Sequence, residues 1–261
     1  MTTRFRDRRI VVTGAGSGMG RAEALGLARD GADVLVTDID LDAARAVTDE
    51  ITAAGGTGHA HHLDVTSPDA WHQLATLLDE KALHGLVNNA GVSFRKGITD
   101  TSVDDWRRVM DINLSSIFFG MKFLADPLSR AGGASVVNVS SIAGMIGYFS
   151  ASYGASKWGV RGLSKVASLE FASKGVRVNS VHPGLVDTPL LHSGDSRFVD
   201  ESLRSVPAGR VASPDEVAAA VEFLLSDEAS YINGTEIVVD GGLVSSGTYH
   251  RITTALAEPT S

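Results

Sequence analysis

Short runs of β-branched and aliphatic residues alternate along the chain with longer stretches in which apolar residues recur every three or four positions. The runs are typical of buried strands and the longer stretches of amphipathic helices. The predicted strands are 9–13, 33–38, 58–63, 85–88, 135–140, 176–182 and 236–240. The predicted helices run from the first strand to near Gly31, and over 41–54, 68–81, 103–130, 153–174 and 214–226. This alternation predicts one α/β domain over 1–261, with a doubly wound, seven-stranded parallel sheet and helices on both faces.

A glycine-rich turn joins the first predicted strand to the first helix. Thr13 is followed by glycines at 14, 16, 18 and 20. Glycine lets a ligand approach the backbone closely, and a helix N-terminus offers free N–H groups to an anion. A strand, such a turn and a helix therefore predict a Rossmann fold that binds the pyrophosphate of a dinucleotide. A merely flexible loop is the alternative.

Asp38 ends the second predicted strand, 18 residues after Gly20. A carboxylate at this point binds a ribose 2′-hydroxyl and repels a 2′-phosphate. No Lys or Arg lies at 15–17, 37, 39 or 40. We therefore predict NAD rather than NADP as the cofactor. Alternatively, Asp38 only caps the helix that starts near Leu41.

Tyr153 and Lys157 lie four positions apart in a predicted helix and so share one face. A free tyrosine ionises only near pH ~10, and a neighbouring ammonium lowers that pKa. The pair is therefore expected to exchange a proton with a substrate oxygen near neutral pH. Taken alone, it is equally compatible with two surface side chains.

Six features in this order resemble the short-chain dehydrogenase/reductase family, from about Arg9 to Gly242. They are the glycine loop, Asn88-Asn89-Ala90-Gly91, Asn113, Asn138-Val139-Ser140-Ser141, Tyr153 with Lys157, and Pro183-Gly184. The resemblance implies an NAD(H)-dependent oxidoreductase that interconverts a secondary alcohol and its ketone. It also implies a homotetramer built on the two long helices and the carboxyl-terminal strand.

The resemblance assigns catalytic roles to four residues. Tyr153 exchanges the proton, Lys157 holds Tyr153 at a low pKa and contacts the nicotinamide ribose, and Ser141 binds the substrate oxygen. Asn113 holds a relay water through its main chain, or else only makes a contact between helices. Ser140 is a rival to Ser141, because it stands 13 rather than 12 residues before Tyr153.

The resemblance also implies a set of cofactor contacts. They are Gly14, Ser17, Gly18, Met19, Gly20, Asp38, Ile39, Asp64, Val65, Asn89, Ala90, Gly91, Tyr153, Lys157, Pro183, Gly184, Val186 and Thr188. Asp64 could instead be a helix cap, and Asn88 with Gly91 could serve the sheet as much as the cofactor.

Apolar residues after the fifth and sixth strands predict a substrate pocket, unless they close the core or a subunit contact. The predicted wall is Ser93, Ile142, Ala143, Met145, Tyr148, Phe149, Leu185, Leu190 and Leu191. No basic residue stands out to bind a phosphate or carboxylate. The prediction is therefore an apolar alcohol or ketone, such as a hydroxysteroid, a terpene or a cyclic alcohol. Residues 192–210 are predicted to form a lid, and the tail 245–261 to reach a neighbouring subunit.

Composition narrows the choice of function. The net charge of −8 argues against nucleic-acid or anionic-membrane partners, and the absence of cysteine excludes disulfides, thiolate zinc sites and cysteine nucleophiles. His59, His61 and His62 have no nearby carboxylate set, so no metal is predicted. The chain lacks a secretory pattern and an apolar run of ~20 residues, so a cytoplasmic location is predicted.

Two other functions remain open. A non-catalytic NAD-binding sensor would not need both Tyr153 and Lys157. An NADPH-dependent, carrier-bound ketoacyl reductase would need basic residues near the glycine loop or the pocket mouth, where Arg21 and Arg95 are the candidates.

Overall fold

Seven parallel strands form one sheet in a computed structural model that describes residues 4–78, 81–195 and 197–257. The strand order is β3-β2-β1-β4-β5-β6-β7. The strands are Arg9–Thr13 (β1), Asp33–Asp38 (β2), Thr57–His62 (β3), Gly85–Asn88 (β4), Ser135–Val139 (β5), Arg177–Pro183 (β6) and Glu236–Val239 (β7). The order reverses between β1 and β4, which opens a crevice at the carboxyl ends of these two strands. The predicted α/β fold is confirmed, and each strand lies within one residue of its prediction.

Helices cover both faces of this sheet. Those in the described part of the chain are Gly18–Arg29 (α1), Leu41–Ala53 (α2), Pro68–Leu77 (α3), Val103–Met110 (α4), Ser116–Phe123 (α5), Ala125–Arg130 (α6), Ala151–Ala172 (α7), Pro189–His192 (α8), Arg197–Leu203 (α9), Pro214–Leu225 (α10) and Leu243–Ala257 (α11). None of these helices is long and apolar enough to cross a membrane.

Strand residues divide between two hydrophobic clusters, because successive side chains point to opposite faces of a sheet. Ile10 and Val12 join the cluster that contains residues of α1, α2 and α10. Val11 joins the cluster that contains residues of α3, α5 and α7. Both faces are therefore buried, which explains why the strands read as continuous apolar runs rather than as alternating ones.

The predicted helix 103–130 is wrong as a single element. A π-helix over Asp111–Ser115 follows α4, and the chain breaks again between α5 and α6 at Leu124. A π-turn is rare and is found mostly at functional sites, and this one carries the buried Asn113. Apolar periodicity cannot reveal such an insertion, since the residues before and after it stay on the buried side.

Three further elements differ from the predictions. Helix α3 ends at Leu77, short of 81, and residues 79–80 lie outside the described residues. The predicted lid 192–210 contains α9, with residue 196 outside the described residues. The predicted tail 245–261 is mostly the helix α11, with 258–261 outside the described residues.

Glu23 is a buried acid in the packing between α1 and α10. Its side chain is 0% exposed, and both carboxylate oxygens lack a hydrogen-bond partner among the described residues. Burial, and next the nearby charge of Glu222 on α10, raise the pKa of Glu23 to about 8. The side chain is therefore protonated at neutral pH, because an unpaired buried carboxylate is too costly.

Glu23 makes the stability of the protein depend on pH. Its folded pKa lies above its unfolded value, so its contribution is complete below about pH 4.5 and is lost as the pH rises to about 8. We expect this contribution to the free energy of unfolding to fall by about 1.4 kcal/mol per pH unit in that range. In Glu23→Gln, urea unfolding from pH 5 to 9 should lack this slope. Glu170→Gln, on an exposed position of α7, should keep it; equal slopes in all three proteins would contradict the assignment.

Candidate active site

A cavity of about 720 Å³ opens at the carboxyl ends of β1 and β4. Twelve of the predicted cofactor residues line it: Gly14, Ser17, Gly18, Met19, Asp38, Ile39, Asp64, Val65, Asn89, Ala90, Gly91 and Thr188. Further residues of this wall, which the sequence did not single out, include Thr66, Arg108, Asp111 and Ile112. The structure therefore brings residues from six separate chain segments to one cavity.

The glycine loop supplies one end of this cavity. Gly14 and Gly18 have φ of 62° and 56°, which is left-handed backbone that favours glycine. A Cβ on Gly20 would lie 2.4 Å from the carbonyl oxygen of Gly14, so Gly20 packs the turn and does not line the cavity. Ser17 makes no side-chain cap on α1, and the first turn of α1 has no acidic residue. The N–H groups and the positive end of the helix dipole are therefore available to an anion, which fits a dinucleotide pyrophosphate.

Asp38 lies on the cavity wall at the end of β2. Its carboxylate accepts hydrogen bonds from the backbone N–H of Gly16 (2.9 Å) and of Asp40 (3.0 Å). The cap of α2 is Asp40, whose side chain accepts from Asp42 and Ala43. The alternative that Asp38 is only a helix cap is therefore wrong. In the same way Ser67, not Asp64, caps α3, while Asp64 accepts hydrogen bonds from Thr66.

A second cavity, of about 400 Å³, adjoins the first, since Met19, Thr188 and Leu190 line both. Its wall contains eight of the predicted pocket residues: Ser93, Ile142, Ala143, Tyr148, Phe149, Leu185, Leu190 and Leu191. Met145 does not line it. Pro183, Gly184 and Val186, which were predicted to contact the cofactor, lie on this second wall, and Tyr153 does too.

Ser141 and Tyr153 both line this second wall, and the Ser141 hydroxyl acts on the phenol as a hydrogen-bonding partner that opposes the rise of its pKa. Ser141 ends β5 and Tyr153 lies in the first turn of α7. The Ser140 hydroxyl instead donates to the carbonyl oxygen of Lys157 at 2.9 Å. The structure thus decides between the two serines, and only Ser141 is a hydrogen-bonding partner of the tyrosine.

Lys157 lies one helical turn after Tyr153 but is almost wholly buried. Its Nζ donates to the carbonyl oxygen of Val139 at 2.9 Å and lies 5.7 Å from the centroid of the Tyr153 ring. Burial lowers the pKa of Lys157 to about 8. Lys157 lines neither of the two cavities, although a Cβ on Gly91 would lie 3.6 Å from its Nζ.

The expected low pKa of Tyr153 is not found in this structure. Burial raises the pKa of Tyr153, against the hydrogen bond from Ser141 and the more distant charge of Arg95. Lys157 is not among the groups that lower it. The reason is geometric, since the ammonium is directed to the carbonyl of Val139 rather than to the phenol oxygen.

Asn113 sits in the π-helix and is completely buried. Its Oδ1 accepts from the N–H of Val92 (2.8 Å), and its Nδ2 donates to the Val92 carbonyl (3.0 Å) and the Ser156 hydroxyl (3.2 Å). The amide is thereby satisfied, as a buried polar group requires. Asn113 therefore ties the loop after β4 to α7, next to Lys157.

The family model described as enoyl-(acyl carrier protein) reductase matches residues 14–244. Cyclohexanol dehydrogenase of Acinetobacter sp. (strain SE19) is 43% identical over 94% of this chain and 98% of that protein. The 3-alpha-(or 20-beta)-hydroxysteroid dehydrogenase of Mycobacterium tuberculosis (strain ATCC 25618 / H37Rv) is 38% identical over 94% and 92%. The crystal structure of a short-chain type dehydrogenase/reductase from Mycobacterium marinum has a TM-score of 0.89 at 29% identity, over 93% of this chain and 98% of that one.

The chain belongs to the short-chain dehydrogenase/reductase family. It is therefore an oxidoreductase that works with a nicotinamide cofactor. The enzyme class predicted from the sequence, an alcohol dehydrogenase or ketone reductase, is confirmed.

Sequence reasoning missed His182 in this short-chain dehydrogenase/reductase. The ring is completely buried beside Ser141, with Nδ1 3.2 Å from the Ser141 carbonyl oxygen and Nε2 2.9 Å from the Ser180 hydroxyl. Because a carbonyl only accepts, Nδ1 carries the proton and Nε2 accepts from Ser180. Burial lowers the pKa of His182, which agrees with a neutral ring. His182 thus holds the backbone of Ser141, and no sequence signal distinguished it from other strand residues.

The expectation that no basic residue stands in the substrate pocket is wrong. Arg95, from the loop after β4, and Arg251, from α11, both line the second cavity. Arg251 lies far from the predicted pocket segments along the chain, whereas Arg95 stands two residues after Ser93 of the predicted wall and is one of the two candidate basic residues named from the sequence. Phe198, Glu201, Ser202 and Ser205, from the predicted lid, complete this side of the wall.

Proposed function

We propose that the protein is an NAD-dependent dehydrogenase of cyclic secondary alcohols. The observation that carries this proposal is the placement of Ser141 and Tyr153 together in the wall of a cavity that adjoins the one lined by the glycine loop and Asp38. The relatives described above act on cyclohexanol and on hydroxysteroids, which are both cyclic secondary alcohols. A ring substrate also suits the walls of Ile142, Leu185 and Leu191.

The residues of the second cavity supply the proton chemistry. When bound, the nicotinamide takes the hydride from the carbinol carbon. The Ser141 hydroxyl binds the substrate oxygen, and the Tyr153 phenol exchanges the proton with it. Because the pKa of Tyr153 is raised, the phenol is protonated at neutral pH and is ready to donate to a ketone oxygen. Alcohol oxidation needs the ionised phenol, so this direction is favoured at alkaline pH.

Lys157 and Asn113 support this proton exchange without lining the second cavity. Burial lowers the pKa of Lys157 to about 8, and its Nζ lies 5.7 Å from the centroid of the Tyr153 ring, so we assign it a positioning role beside the phenol. We also propose that Lys157 contacts the nicotinamide ribose and that the main chain of Asn113 holds a relay water. The hydrogen bonds of Asn113 to Val92 and Ser156 support these two roles, because they fix the π-helix beside Lys157.

Replacement of the tyrosine tests the proposed function. Tyr153→Phe should lower kcat for cyclohexanol oxidation by about 100- to 10,000-fold, because the proton acceptor is lost. Fluorescence titration with NADH should show unchanged binding. The wild-type rate of oxidation should rise from pH 7 to 9.5, and that of cyclohexanone reduction should fall.

Tyr148→Phe is the matched control, since its ring lies 5.8 Å from that of Tyr153 but does not contact Ser141 in the described bonds. We expect less than about a tenfold loss there. Equal losses in the two variants, or full activity of Tyr153→Phe, would contradict the assignment.

We further propose NAD rather than NADP as the cofactor. Asp38 lines the cavity with a carboxylate that would repel a 2′-phosphate. Arg21, the candidate partner of such a phosphate, is paired with Glu50 and does not line the cavity. These observations also weigh against the NADPH-dependent ketoacyl reductase.

Asp38→Asn should raise the Kd for NADH by about 10- to 100-fold, because the carboxylate that binds the ribose hydroxyl loses its charge. The Kd for NADPH should change little or fall. Binding is measured by quenching of tryptophan fluorescence, without any turnover. Asp40→Asn is the control, because asparagine still caps α2 and should leave both constants as in the wild type. Tighter wild-type binding of NADPH than of NADH would refute the preference.

We also propose a homotetramer. Trp158, Val166 and Leu169 lie on one face of α7 and are 46%, 62% and 82% exposed. Apolar side chains that share a surface stripe favour an interface with another copy of the chain.

Leu169→Glu should therefore reduce the sedimenting mass from four times the 27.3 kDa of the chain to a smaller species, because the interface would have to bury a charge. Sedimentation velocity gives the mass directly. Leu77→Glu is the control, as Leu77 is 47% exposed on α3, outside the two long helices and the carboxyl-terminal strand, and should remain in the tetramer. A monomeric wild type would overturn the proposal.

A further inference from the structure

The substrate cavity contains a positive charge with only neutral partners. Arg95 donates from Nη1 to the Ser193 hydroxyl (3.1 Å) and from Nη2 to the carbonyl oxygens of Leu190 (3.1 Å) and Leu191 (3.2 Å). No ion pair to Arg95 exists among the described residues. Its Nε is buried without any hydrogen-bond partner. A half-buried guanidinium bonded in this way keeps its full charge uncompensated.

This charge stands close to the reacting groups. Arg95 lines the same cavity wall as Tyr148 and opposes the rise of the Tyr148 pKa, and its guanidinium carbon lies 5.7 Å from the centroid of the Phe198 ring. The Tyr148 ring in turn lies 5.8 Å from the Tyr153 ring. One aromatic ring therefore separates the charge from the phenol that exchanges the proton.

The rest of the wall does not neutralise Arg95. Arg251 is a second cation on the same wall. The acidic wall residue, Glu201, is 3.4 Å from Arg204 and so already has a partner. In a chain with a net charge of −8, the cavity thus carries a local excess of positive charge. The natural complement of a guanidinium in a poorly solvated cavity is a carboxylate, which accepts charge-assisted hydrogen bonds.

We propose that Arg95 binds a carboxylate on the substrate, so that the preferred substrates are cyclic hydroxy acids rather than wholly apolar alcohols. This inference rests on the proposed function, because Tyr153 and Ser141 must hold the carbinol oxygen at the other end of the same cavity. The carboxylate then lies across the ring from the reacting carbon, between Arg95 and the mouth where Arg251 stands. An apolar alcohol fills the cavity but leaves the charge of Arg95 unpaired.

A purely mechanical role for Arg95 predicts a different result. Its bonds to the Leu190 and Leu191 carbonyls also brace the end of α8. If Arg95 only braces α8, its removal lowers kcat/KM for all substrates alike. If Arg95 binds a carboxylate, its removal selectively lowers kcat/KM for the substrates that carry a carboxylate.

The test compares trans-4-hydroxycyclohexanecarboxylate with its methyl ester, which differ in charge but hardly in shape. With saturating NAD at pH 8, wild-type kcat/KM should be about 10- to 100-fold higher for the acid. Arg95→Met should remove this preference, because kcat/KM for the acid should fall about 10- to 100-fold more than that for the ester, which loses only the effect of the Arg95 charge on Tyr153. Arg95→Lys, which keeps the charge without the forked donors, should retain part of the preference. Arg210→Met is the control, because Arg210 is paired with Glu216 away from the cavity and should leave the preference unchanged.

A second readout does not depend on turnover. Cyclohexanecarboxylate, which has no hydroxyl to react, should compete with cyclohexanol in the wild type, and its inhibition constant should rise about 10- to 100-fold in Arg95→Met. Equal losses for acid and ester, or a wild type that does not distinguish them, would overturn the carboxylate site while leaving the proposed function intact. Failure of the wild type to oxidise cyclohexanol, the ester and the acid with NAD would instead overturn the proposed function itself.

Discussion

The hydroxyl of Thr13 joins the two strands between which the cofactor cavity opens. It donates to the Val87 carbonyl of β4 and accepts from the N–H groups of Asn89 and Ala90, each at 3.1 Å. The Asn89 amide reaches back to the carbonyl oxygens of Thr13 and Gly14. These bonds hold the end of β4 against the glycine loop at the point where the strand order reverses. This junction sets the position of the other groups in the site.

Burial controls the chemistry of the site more strongly than the pairing of charges does. Tyr153 and Lys157 are neighbours on α7, yet burial shifts their pKa values in opposite directions, raising that of the phenol and lowering that of the ammonium. Each shift favours the neutral form, because the low-dielectric surroundings penalise either charge. The Ser141 hydrogen bond and the charge of Arg95 oppose this effect at Tyr153. The protonation of the phenol is therefore controlled by burial, with Ser141 and Arg95 opposing it, and not by Lys157.

Burial also controls the protonation of Glu23, far from the reacting groups. Here no hydrogen bond or cation opposes burial, and the carboxyl group stays protonated at neutral pH. Gly26 makes this arrangement possible, since a Cβ there would overlap the Glu222 carboxylate. Helix α1 thus combines an N-terminus that suits an anion with a packed face that requires a neutral acid. One helix serves both cofactor binding and the stability of the sheet's flank.

The sequence by itself determined the parallel sheet, the dinucleotide crevice and the family, because each depends on short-range patterns. Apolar runs, the glycines after Thr13 and the four-residue spacing of Tyr153 and Lys157 all act within a few residues. The tertiary structure decided which serine meets Tyr153, where the long helix is interrupted at Asn113, and that Arg95 stands in the substrate cavity. These facts depend on which distant segments approach one another, and no local pattern encodes that approach. Burial, which sets the pKa values of the site, likewise exists only once the chain has folded.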